Sequence, residues 1–378
     1  MKYKRDLLNK IRSSLDSQKA LMVVGSRRVG KTILLKDILK EIKREALVLN
    51  GEDPATLSLL EGKTLQQYKQ ILGKATLFII DEAQKIPNIG SIIKLMLDEI
   101  DGLTAVLTGS SAFELHNQFG EPLTGRKKTF RMFPLSFSEF SAHESALETE
   151  SLLEDKILFG AYPEVWQYEF ANEKSEYLIE LANDYLYKDI LALENIRNSQ
   201  KIKDVVRQLS FQIGREVSTE EIGRNIGLSR LTVDKYLDLL TKVFVVFPVW
   251  GFRRNLRKEI VKSKRWYFAD NGILNTVLGD FRPLSQRNDV GALWENYLIS
   301  ERIKWQNESG FIGNNYFWRT YDQQEIDWVE ESAGQLNAFE IKWSEQKVKT
   351  PGAWKKAYPD ASFSVIHQNN YQEFLCPL

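Results

Sequence analysis

Residues 21–39 read LMVVGSRRVGKTILLKDIL. Four apolar residues suit a buried strand, a glycine-bracketed loop follows, and the apolar spacing of the remainder suits a helix. Gly25 and Gly30 let the backbone turn so that successive N–H groups converge on one point. The start of the helix adds the positive end of its dipole there. A GxxxxGKT loop between a strand and a helix is a phosphate cradle. It comprises Gly25, Ser26, Arg27, Arg28, Val29, Gly30, Lys31 and Thr32, with Ile33 continuing into the helix. Lys31 is expected at the β- and γ-phosphates of ATP, and Thr32 at a Mg2+ ion.

Working outward, LFIIDEAQ (77–84) is a second buried strand that ends in two acids. Asp81 suits the magnesium side of the site, through water, and Glu82 suits the base that polarises the attacking water. In LTAVLTGSS (103–111), Thr108 and Ser110 stand at a strand end. They either sense the γ-phosphate or cap the following turn. Arg126, in LTGRKKTF (123–130), is either a transition-state arginine, from the same subunit or a neighbour, or an exposed surface residue.

Strands are expected at Leu21–Val24, Ala46–Asn50, Leu77–Asp81, Leu103–Thr108 and Lys128–Phe133, with helices at Thr32–Arg44 and Ile89–Ile100 between them. Nearly continuous apolar strands alternating with helices imply a parallel sheet covered on both faces.

The GSRRVGKT, DEAQKIP, LTGSSAFEL, LTGR and FPLSFSEF motifs, in this order, resemble archaeal and bacterial AAA-type ATPases related to the STAND class. The resemblance extends through GAYPEV (160–165), YLYKDI (185–190) and YFADNGIL (267–274), so it covers nearly the whole chain. It departs at GAYP, where many relatives carry a second glycine. The resemblance implies ATP binding, with a RecA-like ATPase module preceding a winged-helix region and a C-terminal domain like the restriction-endonuclease-fold nucleases.

The fold class expected is therefore multidomain α/β. An AAA-type P-loop domain is expected at 1–140, a helical linker at 141–199, a winged helix-turn-helix at 200–285, and a small PD-(D/E)xK nuclease-like α/β domain at 286–378. Residues 141–156 (SAHESALETESLLEDK) are polar and acidic and read as a connector, followed by amphipathic spacing over Glu176–Asn195.

STEEIGRNIGLSRLTVDKYLDLLTK (218–242) reads as a helix-turn-helix on local rules. Ser218 and Glu221 form a capping box, Gly227 breaks the first helix, and Ser229 caps the second. Val233, Leu237 and Leu240 share the inner face, leaving Arg230, Thr232 and Lys235 outward. The strand Val243–Trp250 leads to a basic stretch with Arg253, Arg254, Arg257, Lys258, Lys262, Lys264 and Arg265 against Glu259. Trp250, Phe252, Trp266 and Tyr267 are interleaved with it. Such a region suits duplex DNA bound through residues 218–265, or a packing module with a solvated basic face.

The last segment, from about 288 to 378, reads helix, strand, strand, strand, helix, strand. Glu295 lies on the helix DVGALWENYLISERIKW (289–305), Asp327 in EIDWV, and Glu340 and Lys342 in FEIKW. Period-2 alternation puts Glu340 and Lys342 on one strand face. The D…ExK spacing resembles the PD-(D/E)xK nuclease motif. Asp327 and Glu340 would hold a divalent metal and Lys342 would act on water, with Glu295 in support. The other reading is a degenerate nuclease fold kept as scaffold.

Bulk composition narrows the classes. Among 378 residues, 51 Lys and Arg balance 51 Asp and Glu, so any basic patch must be local. The single cysteine, Cys376, excludes disulfide frameworks and cysteine zinc sites and suits a reducing cytoplasm. The charged opening segment has no signal-peptide core, and the apolar runs are too short to span a bilayer. ATP with Mg2+ is the expected ligand, duplex DNA a candidate partner, a homo-oligomer compatible, and a membrane not expected. The functions in view are an ATP-hydrolysing switch or motor on DNA, an ATP-gated nuclease (a defence or mobile-element effector), and a non-catalytic ATP-dependent DNA-binding regulator.

Overall fold

A computed structural model describes residues 3–110, 123–184, 199–252 and 264–377. The chain divides into two compact units. One runs to Leu135 and also holds Lys242–Phe244; the other holds Ser136–Thr241 and Val245–Leu378.

The first unit is built on a five-stranded sheet: β1 (Ala20–Val24), β2 (Ala46–Asn50), β3 (Leu77–Asp81), β4 (Thr104–Gly109) and β5 (Lys127–Arg131). Its order is β2-β3-β4-β1-β5, and every neighbouring pair is parallel. Every residue of β1 and β4 is buried, which is why both read as unbroken apolar runs. Ala20, Met22, Val24, Phe78, Ile80, Ala105 and Leu107 share one core with Ile89, Ile93 and Met96 of the helix Ile89–Glu99. The phosphate-loop helix is Lys31–Glu41. It begins one residue earlier than the periodicity suggests, because Gly30 at φ +100° takes the cap position. It stops at Glu41 because Ile42 turns extended.

The second unit contains a seven-stranded sheet: β6 (Glu216–Val217), β7 (Val246–Gly251), β8 (Lys264–Phe268), β9 (Asn314–Arg319), β10 (Glu325–Ser332), β11 (Gln335–Ile341) and β12 (Ser362–Ile366). Its order is β12-β11-β10-β9-β7-β8-β6. The set β7-β8-β6 is antiparallel and brackets the helix-turn-helix, with β6 before it and β7 and β8 after it, and β9 to β11 form an antiparallel meander. Parallel pairing of β7 with β9, Trp250 opposite Tyr316 and Gly251 opposite Phe317, fuses the two sets. The sheet therefore runs across position 285. Periodicity assigns strands but not their neighbours, and the free edge of β7 is satisfied by β9.

Residues 141–156, polar and acidic, are mostly exposed and largely helical. Ser145 and Glu148 form a capping box for the helix Ala146–Ser151. The helix Leu153–Phe159 follows at once and buries Ile157, Leu158 and Phe159. Lys156 is buried against Glu144 at 2.5 Å. The polar composition is taken up by caps and one internal ion pair. In FPLSFSEF, Ser136 and Glu139 form another capping box.

GAYPEV and YFADNGIL meet as a packing joint. Asp270 caps the helix Asn271–Leu278 through Ile273 N–H at 3.2 Å and accepts Ala161 N–H at 2.7 Å. A Cβ on Gly160 would lie 2.1 Å from the Asp270 carboxylate. Asn271 Nδ2 donates to the carbonyls of Ile157 and Leu293. YLYKDI lies outside the described residues.

In the helix-turn-helix only the hydroxyl half of the expected Ser218–Glu221 capping box forms. The Ser218 hydroxyl accepts Glu221 N–H at 3.2 Å, Gly227 ends the first helix at φ +69°, and the Ser229 hydroxyl accepts Thr232 N–H at 3.2 Å. Val233, Leu237 and Leu240 are buried. The helix before it is Ser199–Ser210.

Candidate nucleotide site and an acidic cluster

In a parallel sheet all carboxyl ends lie on one edge, so β1, β3 and β4 deliver their following residues to the same place. The loop leaves β1 at Gly25, where a Cβ would stand 2.2 Å from the Met132 carbonyl oxygen. Arg28, at φ +62°, and Gly30 supply the left-handed backbone of the cradle. Ser26, Val29 and Lys31 are buried, whereas Arg27, Arg28, Thr32 and Ile33 are exposed. The Lys31 amine donates to the carbonyls of Gly25 at 2.9 Å and Ser26 at 3.0 Å. It therefore stands across the mouth of the loop.

The Thr32 hydroxyl donates to Asp81 Oδ2 at 2.7 Å. Asp81 Oδ1 accepts from the Thr108 hydroxyl, and from Glu82 N–H at 3.1 Å. Thr108 is fully buried and holds Asp81. Glu82 has φ +49°, a strained backbone for a non-glycine residue. Its carbonyl is met by Gly51, whose added Cβ would lie 2.3 Å away. Gln84 Nε2 donates to Glu82 Oε2 at 2.6 Å and to the Ser110 hydroxyl at 3.3 Å. Thr32, Asp81, Thr108, Glu82 and Ser110 are thus brought together. Donor N–H groups, an ammonium, a hydroxyl and a carboxylate are the chemistry that a magnesium–nucleotide complex needs, and the residues fit it.

Arg126 is placed elsewhere. Its carbonyl accepts Ala20 N–H at 2.8 Å, at the amino end of β1, and its side chain pairs with Asp98 at 2.5 Å. The length of β1, about 13 Å, separates it from the loop of its own chain.

Three partners of the site escaped the sequence. Gln84 was legible within DEAQ as a polar residue beyond the acids. Gly51 gave no motif. Arg5 donates to the carbonyls of Val29 at 2.8 Å and Phe133 at 2.6 Å, linking positions too distant in the chain for local spacing to show.

In the second unit, Glu295, Asp327, Glu340 and Lys342 line one cluster with Arg265, Tyr267 and Glu325; Asp327, Glu340, Arg265 and Tyr267 are buried, Glu295 and Lys342 half-buried and Glu325 exposed. Asp327 Oδ2 accepts Ile341 N–H at 3.0 Å, and Oδ1 faces Arg265 Nη1 at 3.2 Å. Arg265 Nη2 reaches Glu325 at 2.9 Å, and its Nη1 lies 3.8 Å from Glu295. The Tyr267 hydroxyl donates to Glu295 Oε1 at 2.7 Å. Lys342 Nζ pairs with Glu340 at 2.6 Å and lies 3.9 Å from Asp327. Burial, reinforced by Asp327, pushes Glu295 up to about 8. Burial likewise raises Glu340, beside Asp327. Burial opposes the charge of Arg265, but Tyr267, Glu295, Asp327 and Glu325 outweigh it and raise its pKa.

The basic stretch is therefore smaller than its sequence suggests. Arg265 is only 2% exposed and turns inward. Lys264 sits 4.1 Å from the Trp250 ring. Arg253, Arg254, Arg257, Lys258, Glu259 and Lys262 lie outside the described residues. On the second helix of the helix-turn-helix, Arg230 and Lys235 are exposed and Thr232 half-buried; Arg230 lies 3.5 Å from Asp234.

Residues 17–141 match a family model described as an AAA domain. Residues 150–283 and 290–373 match two models that are each described as a domain of unknown function. An uncharacterised protein of Mycobacterium tuberculosis is 24% identical over 345 residues, covering 90% of this chain and 74% of the relative. One from Methanocaldococcus jannaschii is 26% identical over 340 residues, covering 84% and 74%. One from Haemophilus influenzae is 25% identical over 346 residues, covering 85% and 82%. Among solved structures, a Walker-type ATPase of Pyrococcus abyssi superposes with TM-score 0.49 at 15% identity, over 73% of this chain and 96% of that one. A STAND ATPase with a tetratricopeptide-repeat sensor from Pyrococcus horikoshii gives TM-score 0.30 at 13% identity, over 79% and 46%.

The parallel sheet, the phosphate loop at its carboxyl edge and the AAA-domain match define the first unit as an AAA-type P-loop ATPase module. Among the described residues, no helix is long and apolar enough to cross a membrane.

Proposed function

We propose that this protein binds ATP with Mg2+, hydrolyses it, and uses the cycle as a switch acting on DNA. The observation that carries the reading is the hydrogen-bonded set Thr32–Asp81–Thr108, with Glu82 held by Gln84 on the same sheet edge. Thr32 and Asp81 would hold Mg2+, which supplies charge neutralisation at the β- and γ-phosphates. Lys31 and the loop N–H groups bind the phosphate chain. Glu82 takes the proton of the attacking water, and Gln84 fixes the direction of its carboxylate.

The DNA part rests on the helix-turn-helix, with Arg230 and Lys235 on its exposed side, and on the basic composition of residues 253–264. We read the segment as a winged helix in which phosphates meet the hairpin and bases meet the second helix. Arg126 fits a transition-state role only when supplied to another protomer. Phosphate release and retention of a duplex should be measured together, with and without Mg2+. Magnesium-dependent release that duplex DNA stimulates supports the reading. No release in any condition refutes the hydrolytic part, and release with no duplex binding at low salt refutes the DNA part.

A further inference from the structure

The C-terminal cluster has the residue types of a metal centre, but each of its acids already has a partner within the chain. Both oxygens of Asp327 have partners: Ile341 N–H on one side and the Arg265 guanidinium on the other. One oxygen of Glu295 takes the Tyr267 hydroxyl, and one oxygen of Glu340 takes Lys342. Glu295, Asp327 and Glu340 do not form a trio with an oxygen each within 4.8 Å of one another. Glu340 Oε2 is the carboxylate oxygen of the cluster that is buried without a partner. Two oxygens without a hydrogen bond, Glu295 Oε2 and Glu340 Oε2, beside two resident cations are a poor seat for a hard dication, which seeks six or more oxygen ligands.

Where the main cation comes from is informative. Arg265 belongs to β8, in the hairpin of the helix-turn-helix, and reaches Asp327 on β10 across the fused sheet, its guanidinium 4.8 Å from the Phe317 ring. The same region roofs the cluster. Gly214, just after the helix Ser199–Ser210, lies so close that an added Cβ would be 2.7 Å from Glu295 Oε2. On the rim, Glu216 of β6 pairs with Arg319 of β9 at 3.2 Å.

We propose that this acidic cluster takes its cation from within the chain: Arg265 stands where a divalent ion would otherwise be needed, so the cluster locks the helix-turn-helix hairpin to the C-terminal strands instead of serving as a metal centre. A guanidinium spreads one charge over several directed donors. It can therefore bond Glu325 and Asp327 and face Glu295 from a single side chain. A divalent ion entering between these acids must displace it or meet its repulsion. This inference is independent of the ATP reading, since every residue in it lies in the other unit.

Titrating the nucleotide-free full-length chain with Mn2+, read by the magnetic-resonance signal of the free ion, tests it. Wild type and Asp327→Asn should bind alike, with no saturable site that depends on Asp327. Arg265→Gln should gain one Mn2+ site, tighter than any wild-type binding at the cluster by about tenfold or more, since one resident positive charge is gone. Arg265→Lys should stay like wild type, and Arg265→Gln with Asp327→Asn should lose the gain. A tight wild-type site abolished by Asp327→Asn overturns the proposal, as does a folded Arg265→Gln protein that gains none. If Arg265→Gln does not fold, the comparison of wild type with Asp327→Asn decides alone.

Discussion

Two regions of this chain hold an aspartate of a strand among hydrogen-bond donors, Asp81 and Asp327, and they treat the acid in opposite ways. Asp81 is held by neutral donors: the Thr32 and Thr108 hydroxyls and one N–H group. Asp327 is held by one N–H group and a guanidinium, with an ammonium nearby. Neutral hydroxyl donors orient a carboxylate without cancelling its charge, and a hydroxyl oxygen can itself become a ligand. A guanidinium cancels the charge and can never ligate a cation. The same residue types thus make an ion-ready site in one place and a closed ion pair in the other.

The sharpest way to break this contrast is at the phosphate loop. Lys31→Ala should weaken ATP binding by about a hundredfold or more, because an ammonium facing phosphate oxygens has no substitute there. Equilibrium binding of a fluorescent ATP analogue checks this, and near wild-type affinity would remove the ion-ready half of the comparison. Arg265→Met should be the most destabilising of the charge removals, by about 3–5 kcal/mol, because it leaves buried acids uncompensated. Asp81→Asn should cost only about 1 kcal/mol, since its partners are neutral. Denaturant unfolding of both variants separates them, and equal losses would contradict the distinction.

Smaller effects sharpen the picture. Gln84→Ala should slow turnover by about tenfold while leaving ATP affinity unchanged, because it acts through the orientation of Glu82. A changed affinity with unchanged turnover would exclude the orienting role. Replacing Arg230 and Lys235 by alanine should change the preference among duplex sequences by about tenfold, because the second helix meets bases. An unchanged preference would move base contacts away from the second helix.

Much of the first unit was legible in the sequence because its signals are local. Two strands, Ala46–Asn50 and Leu77–Asp81, match their expected bounds, and the other three lie within two residues of them. The site residues from Gly25 to Thr32 and at Asp81, Thr108 and Ser110 meet on one edge, since parallel strands carry their ends to the same side. Arg126 misled because a basic residue after a turn looks the same at either end of a strand. In the second unit the elements were legible and their partners were not. Nothing in the residues 246–251 announces that β9 will pair with them, so the fused sheet was invisible. Arg265 was read as one member of a basic run. Its opposite burial depends on acids at 295, 325 and 327, which no local spacing connects to it.

The central claim is that the edge formed by Gly25–Thr32, Asp81 and Glu82 hydrolyses ATP with Glu82 as base. Glu82→Gln tests it most directly, with nucleotide binding and phosphate release measured on the same sample. Binding should stay within about twofold of wild type and release should fall by about a hundredfold or more, because the amide keeps the shape of the side chain but accepts no proton. Wild-type release from Glu82→Gln would contradict the account.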